Sequence, residues 1–367
     1  MISIQTYLSS VKQRISDTRL VVLGNEAADL DSMVSSVAYG YLRARQKPGL
    51  TVLPVMTIPR ADFFLRQEVV YLFHEAGINL DDIVFSDEVD CDKLLLHADL
   101  VLVDHNKLGA DLLQYGHKVT GVLDHHKDEG LYKTAVPRII RTIGSTATLV
   151  AMEFNKLGVT IGQDLAILLG GTILLDTVNL SMAAGKVTDA DKKVAAEILP
   201  LCPMPGQELF KKVQSGKFNV QGLSTNDLLR KDYKEYHFGR LQYGIASVHL
   251  STGQWQVMDN DLVAAFSGFA ANRKLDLLVS MNSYNRPEFH RELIVFWQTE
   301  GGQRKLLKYL QDNELALTPI VCVDEKNRND GIITFYDQGN RGISRKKLQP
   351  LLANFFEVYG GNHSETA

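Results

Sequence analysis

Three short apolar runs in the first part of the chain each lead into aspartate, and that repetition restricts the fold more than any other feature. Leu20-Val21-Val22-Leu23 passes through Gly24 into Asn25-Glu26-Ala27-Ala28-Asp29-Leu30-Asp31-Ser32; Asp99 to Val103 closes on Asp104-His105-Asn106; Val119 to Leu123 closes on Asp124-His125-His126. Such runs read as buried strands, with a further strand at Thr51 to Met56. The segments Ser32 to Arg45, Phe63 to Ala76 and Gly109 to Tyr115 carry helical periodicity. Strands alternating with helices predict a parallel sheet covered on both faces. In such sheets ligands bind beyond the carboxyl ends of the strands, where these aspartates fall.

A helical pair follows, Ser145 to Leu157 and Asp164 to Leu175, and the second runs into Asp176 in an otherwise apolar stretch. Taken singly, an aspartate such as Asp29 or Asp31 before a helix is an ordinary cap, and a lone histidine is ordinarily structural. The combination is different, because so many carboxylates on successive turns repel one another and are costly to bury without cations. Carboxylate oxygens with one or two imidazoles suit Mg²⁺ or Mn²⁺, and the carboxylate excess suggests two ions sharing a bridging aspartate. Two such ions clamp a phosphoryl group for in-line attack, so the chemistry implied is phosphoester or phosphoanhydride hydrolysis.

The chain has 367 residues, longer than one core usually sustains, which predicts two domains of roughly 150 residues each. Pro200, Pro203, Pro205, Gly206, Gly216 and Gly222 break the periodicity. They divide the chain into a catalytic domain over 1–203, a linker over 204–224 and a second domain over 225–367. The second domain reads as a smaller α/β unit, with strands at Leu241 to His249, Leu275 to Ser280 and Glu292 to Phe296. Its helices fall at Asp261 to Arg273, Arg304 to Gln311 and Leu348 to Phe356. Two basic clusters, Lys231-Asp232-Tyr233-Lys234 and Ser344-Arg345-Lys346-Lys347, are either solvated faces or partners for phosphate oxygens.

A net charge of -4 offers no global attraction for nucleic acid or an anionic membrane, and neither is expected as a partner. No apolar run approaches the ~18 residues of a membrane span. Cys91, Cys202 and Cys322 are odd in number and far apart, which argues against a disulfide framework and for a reducing, cytoplasmic compartment. Ile4, Tyr7, Leu8, Val11 and Ile15 fall at helical spacing, as a docking helix or an import sequence would have them.

The ordered set Asp29/Asp31, Asp104, Asp124-His125-His126 and Asp176 resembles the four N-terminal motifs of the DHH phosphoesterase superfamily. The Lys-Asp-Tyr-Lys segment and Ser344-Arg345-Lys346 resemble the DHHA2-type second domain that family II inorganic pyrophosphatases share with eukaryotic exopolyphosphatases and Prune-type proteins. Family II pyrophosphatases carry histidine where this chain has Asn25, and here the stretch resembles the cytosolic exopolyphosphatases of yeast and protozoa. Lys231 to Lys234 and His290-Arg291-Glu292-Leu293 also resemble that branch, whereas Asp104-His105-Asn106 and Ser344-Arg345-Lys346 resemble the pyrophosphatase versions.

The resemblance implies an α/β fold with a parallel-sheet DHH domain, a smaller α/β DHHA2-type domain and an active site in the cleft between them. It implies a metal-dependent exopolyphosphatase that releases terminal orthophosphate from inorganic polyphosphate through attack by a metal-activated hydroxide. Asp29, Asp31, Asp104, His125 and Asp176 would bind metal, with Asp104 and Asp176 shared. His126 would contact the substrate phosphate, Asp124 would orient the histidines, and Asn25 would stand beside the first metal as a weak ligand or water-holding group. Lys234, Arg345 and Lys346 would neutralise phosphate oxygens. One or two divalent ions are implied, Mg²⁺ first because an amide replaces an imidazole, with Mn²⁺, Co²⁺ or Zn²⁺ as alternatives. The expected assembly is a monomer or weak dimer. An inorganic pyrophosphatase and a Prune-like nucleotide phosphodiesterase are the alternative readings.

Overall fold

The computed structural model describes residues 2–285, 287–297, 300–320 and 332–359. The chain divides into two units, Met1–Asn219 and Val220–Ala367.

In the first unit the strands are β1 (Leu20–Leu23), β2 (Val52–Met56), β3 (Val84–Phe85), β4 (Asp99–Val103), β5 (Val119–Asp124) and β6 (Arg138–Ile140). They form one sheet in the order β3-β2-β1-β4-β5-β6, with every neighbouring pair parallel. Side chains alternate between faces along a strand, so the burial of every residue of β1 and β2 means that both faces are covered. The strands β3 and β6 are too short to announce themselves by periodicity. From β1 the chain proceeds to β2 on one side and later to β4 on the other, so the switch point lies between β1 and β4. The aspartates of the first two motifs leave the sheet at that point.

The helices of this unit are α1 (Ile4–Lys12), α2 (Leu30–Gln46), α3 (Arg60–Phe63), α4 (Gln67–Glu75), α5 (Cys91–His97), α6 (Thr146–Lys156), α7 (Gln163–Asp176), α8 (Asp189–Ile198) and α9 (Gly206–Phe218). α1 buries Ile4, Tyr7, Leu8 and Val11 and so docks as an amphipathic helix does. The helix expected over Phe63 to Ala76 is broken, because Arg66 leaves helical geometry (φ -100°, ψ 69°). Its buried guanidinium turns to the carbonyls of Asp62 (3.0 Å) and Ala27 (2.7 Å). The helical segment expected from Gly109 is a 3-10 stretch, Ala110–Lys118. α7 is buried from Leu165 to Leu175 and packs against α2, α4, α6, α8 and α9, as a helix apolar all round should.

The stretch 204–224 is not a linker. α9 fills most of it, buries Leu209 and Val213 and packs on α4 and α7. Pro205 stands at the N-cap of α9, where a missing N–H does no harm, so it starts a helix instead of ending order.

In the second unit the helices are α10 (Thr225–Lys231), α11 (Thr252–Met258), α12 (Leu262–Arg273), α13 (Glu300–Asp312) and α14 (Arg345–Tyr359). The strands are β7 (Tyr233–Phe238), β8 (Leu241–Val248), β9 (Leu277–Asn285), β10 (Phe289–Trp297), β11 (Leu317–Pro319) and β12 (Ile332–Gln338), in the order β11-β12-β10-β9-β8-β7. β8 and β9 are parallel and the other pairs antiparallel. The two-residue period sorts the strands into two cores. Tyr243, Ile245, Val279, Leu293 and Val295 pack with Leu306, Leu310, Leu348 and Leu352 of α13 and α14. Ala246, Val248, Leu278, Ile294 and Phe296 pack with Leu228, Trp255 and Phe266 of α10, α11 and α12.

Cys91 and Cys202 are free thiols, and Cys322 lies outside the described residues. Among the described residues no helix is long and apolar enough to cross a membrane. Leu102, fully buried in β4, tests the central packing: Leu102→Ala should lower stability by about 2–5 kcal/mol in urea unfolding. A change of a few tenths would contradict a close-packed sheet core.

Candidate metal centre

The centre is built around Asp104. Its backbone N–H donates to the Leu123 carbonyl (2.9 Å), continuing the sheet by one residue. Its φ of 62° then turns the chain through the left-handed region, which aspartate tolerates better than most residues. The side chain is 2 % exposed. Its Oδ2 accepts from Asn25 Nδ2 (2.6 Å), and its Oδ1 accepts from Thr146 Oγ1 (3.2 Å) and lies 3.3 Å from His125 Nε2.

The first motif lies partly in helix. Asp29 is the N-cap of α2, its Oδ1 accepting from the Ser32 N–H (3.1 Å). Asp31 sits in the first turn, 3 % exposed. Its carboxylate accepts from the N–H groups of Thr146 (2.7 Å) and Ala147 (2.8 Å) and from Ser35 Oγ (3.1 Å). Capping and site-building therefore coincide, and Asp31 occupies the favourable anion position at the N-terminus of α6.

That end of α6 is fixed by Asp191, which sequence reasoning missed. Asp191 is fully buried and accepts from Gly144 N–H (2.9 Å), Thr148 Oγ1 (2.6 Å), Thr188 N–H (2.8 Å) and Thr188 Oγ1 (2.7 Å). Gly144 is required there, since a Cβ would lie 2.6 Å from Thr177 Cγ2.

The two histidines are oriented differently. His125 Nδ1 meets the Ile143 carbonyl at 2.9 Å, which fixes that nitrogen as the donor and turns Nε2 to the carboxylates. His126 Nδ1 donates to Asp124 Oδ1 (2.8 Å), leaving Nε2 uncommitted on a ring 37 % exposed. Asp124 is fully buried and its other oxygen accepts from Asn106 Nδ2 (2.5 Å). Asn106 also bridges Lys127 and Glu129, a supporting role that only its place after Asp104-His105 hinted at.

The side-chain amide of Asn25, expected as a weak ligand or water-holding group, is hydrogen-bonded at both ends. Its Oδ1 accepts from the N–H groups of Ala27 (2.8 Å) and Ala28 (3.1 Å), so the amide oxygen is committed to its own loop. Its Nδ2 donates to Asp104, and the residue faces the centre as a hydrogen-bond donor. Arg66 holds the same loop from outside through the Ala27 carbonyl.

Asp176 ends α7, and its Oδ2 is buried with no hydrogen-bond partner. Burial, then the charges of Asp31 and Asp29, push its carboxyl well above the usual range. The same causes raise Asp104 well above that range, and burial, against the opposing charge of His125, raises Asp31. Burial alone would lower His125, but Asp104 and Asp31 outweigh it and raise the imidazole to about 10. Asp124, by contrast, is held below the usual range despite its burial, because His126 and Asn106 donate to it. The ligand atoms of Asp104, His125 and His126 lie within 4.8 Å of one another. An orphaned buried carboxylate oxygen beside mutually repelling carboxylates is the donor set of a hard divalent cation.

Lys234, Arg345 and Lys346 belong to the second unit. Lys234 is in β7 and the Ser344-Arg345-Lys346 motif opens α14. Arg345 joins the two basic segments by ion-pairing to the Asp232 carboxylate (2.7 Å) and donating to the Asp232 carbonyl (2.8 Å). Motifs more than a hundred residues apart thus share one patch, with part of the Arg345 guanidinium already committed.

The shifted groups set a pH dependence. Asp31, Asp104 and Asp176 are raised in the folded state, so their contribution to stability is full below about pH 4 and is lost as pH rises through the raised values. His125 contributes fully below 6.5 and loses its contribution as pH rises towards about 10. Chelator-treated protein should therefore melt at progressively lower temperature from pH 6.5 to 10. A divalent ion should restore the melting temperature, by more at higher pH. An ion effect that is absent or independent of pH would contradict the electrostatic account.

Residues 19–172 match the DHH family, N-terminal domain, and residues 211–355 match the DHHA2 domain. A Schizosaccharomyces pombe protein provisionally named an exopolyphosphatase is 35% identical over 90% of this chain and 89% of its own length. The Mus musculus protein named Exopolyphosphatase PRUNE1 is 33% identical over 97% of this chain and 80% of its own length. A Methanothrix thermoacetophila protein named manganese-dependent inorganic pyrophosphatase is 26% identical over 71% of this chain and 80% of its own. Among solved structures, a Methanococcus jannaschii protein provisionally described as a family II inorganic pyrophosphatase superposes with a TM-score of 0.61. It is 21% identical and covers 92% of this chain and 99% of that one, a likeness of fold. With both domains matched and relatives above 30% identity along most of its length, the chain belongs to the DHH phosphoesterase family, a hydrolase family, and carries a DHHA2 domain after its DHH domain.

Proposed function

We propose that this protein is an exopolyphosphatase that hydrolyses terminal phosphoanhydride bonds of inorganic polyphosphate and releases orthophosphate. The observation that carries this reading is the acidic cluster in which His125 Nε2 lies 3.3 Å from buried Asp104 and 3.9 Å from Asp31, while the partnerless oxygen of Asp176 feels the charges of Asp31 and Asp29. Asp29, Asp31, Asp104, Asp176 and His125 are the residues to hold one or two divalent ions. When bound, the ions supply Lewis acidity and a water activated at neutral pH.

The chain's own groups do the rest. Asp124 accepts a hydrogen bond from the Nδ1–H of His126 and so turns Nε2 towards a substrate phosphate. Asn25 holds Asp104 by its Oδ2 and keeps the bridging carboxylate aimed. Lys234, Arg345 and Lys346 provide positive charge for phosphate oxygens, which polyphosphate carries in every residue. Mg²⁺ is the ion that suits the site, because Asn25 stands where an imidazole nitrogen would favour Mn²⁺ and its amide oxygen is engaged by the N–H groups of Ala27 and Ala28. Free Cys91 and Cys202 accord with the reducing cytoplasm.

Pyrophosphate hydrolysis is the second reading. It is favoured by the manganese-dependent pyrophosphatase relatives and by the His105-Asn106 pair after Asp104, in which Asn106 supports Asp124. Phosphate release from pyrophosphate, tripolyphosphate, long-chain polyphosphate and a cyclic nucleotide, each with Mg²⁺ and then Mn²⁺, separates the readings. Long-chain polyphosphate should be turned over fastest with Mg²⁺, and a preference for pyrophosphate or the nucleotide would overturn the first reading. Asp104→Ala and Asp176→Ala should each lower phosphate release more than about a hundredfold while the fold, judged by circular dichroism, is kept. Asn25→His should raise the ratio of pyrophosphate to polyphosphate turnover in Mn²⁺; an unchanged ratio would remove Asn25 as the determinant.

A further inference from the structure

The backbone takes an unusual course directly after Asp176. Val178, Asn179 and Leu180 have φ values of 52°, 58° and 58°, so successive residues lie in the left-handed region and none of them is glycine. A helix commonly ends on one such residue, usually a glycine. For a β-branched side chain such as Val178 the conformation is a genuine outlier, and every left-handed residue with a Cβ adds to the cost. A run of this kind persists only where its surroundings over-determine it.

The group that holds the run is Thr177, which is fully buried. Its Oγ1 donates to the Ile173 carbonyl (2.6 Å) and accepts from the Leu180 N–H (3.1 Å). One hydroxyl therefore ties the last turn of α7 to the far end of the left-handed run. The Thr177 carbonyl accepts from the Ser181 N–H (3.1 Å), and the Leu174 carbonyl accepts from the Asn179 N–H (2.7 Å). On its other side the Thr177 methyl lies against Gly144, where a Cβ would come within 2.6 Å of Thr177 Cγ2. Gly144 leads into Thr146 and Ala147, whose N–H groups hold Asp31. Thr177 thus joins the backbone that carries Asp176 to the turn that holds Asp31.

Asp176 needs such a restraint. It ends α7, its Oδ2 has no hydrogen-bond partner, and carboxylates gathered for one cation repel one another. No donor keeps that oxygen in place, so the backbone must. We infer that Thr177 is a positioning residue of the metal centre: its hydroxyl pins the left-handed turn and so keeps the Asp176 carboxylate in register with Asp31 for a divalent ion. The inference rests on the metal-dependent reading and extends it to a residue that acts through Asp176.

The test is a titration of the metal-free full chain with Mn²⁺, the unbound ion being followed by electron paramagnetic resonance. Thr177→Val keeps the branched shape and removes the hydroxyl, and it should weaken Mn²⁺ binding by roughly tenfold or more. Thr177→Ser, which restores the hydroxyl, should recover most of the affinity. Val178→Gly relieves one left-handed residue without touching Thr177, so it should melt at a higher temperature and bind Mn²⁺ as wild type does. Should Thr177→Val fail to fold, the double variant Thr177→Val with Val178→Gly, eased at the strained position, carries the same expectation. Wild-type affinity in folded Thr177→Val overturns the inference, as does a loss in Thr177→Ser or Val178→Gly as large as that in Thr177→Val. If wild type itself binds no Mn²⁺, the metal reading fails and the inference with it, a result distinct from firm wild-type binding that the variants leave unchanged.

Discussion

The first unit is organised by the cost of gathering buried carboxylates at one point. Asp31 and Asp104 are nearly inaccessible, and one oxygen of Asp176 is buried without a partner. Each such charge repels the others and loses hydration. The protein offsets part of that cost with its own donors. Two N–H groups of α6 serve Asp31, Asn25 and Thr146 serve Asp104, and His125 leans on both. Asp176 receives least, and there the chain's own donors fall short of what the charges demand. A divalent ion there is what the proposed function requires.

The scaffold makes this economical by using one device twice. Strand ends of a parallel sheet already lack neighbours, and helix N-termini already need acceptors. Asp29 caps α2, and Asp31 accepts from the first two N–H groups of α6, so acids of the centre also serve helix starts. Asp191 shows the contrast: it is as buried as any of them, yet four donors satisfy it, and its work is to hold the turn at Gly144. A buried aspartate is therefore informative only once its donors are counted.

Much of this was legible in the sequence. The apolar runs gave the four longer strands of the first sheet, the strand ends gave Asp29, Asp31, Asp104 and Asp124, and the apolar setting of Asp176 marked it as needing a partner. What stayed hidden depended on contacts distant along the chain. The donor face of Asn25 is fixed by the N–H groups of Ala27 and Ala28, and no pattern of residue types reveals which way an amide points. The break at Arg66 reflects a guanidinium drawn to Ala27, which overrides a good helical period. Proline and glycine around 204–224 resembled a linker because the same residues begin helices and permit close packing; Pro205 and Gly216 do those two things in α9.

The central claim is that the carboxylates around Asp104 hold divalent ions. Anomalous diffraction from crystals grown with Mn²⁺ tests it most directly. The account predicts one or two anomalous peaks bounded by carboxylate oxygens of Asp29, Asp31, Asp104 and Asp176 and by His125 Nε2, with Asn25 outside the coordination sphere. Absence of a peak there at saturating Mn²⁺, or a peak coordinated by residues other than these, would contradict it.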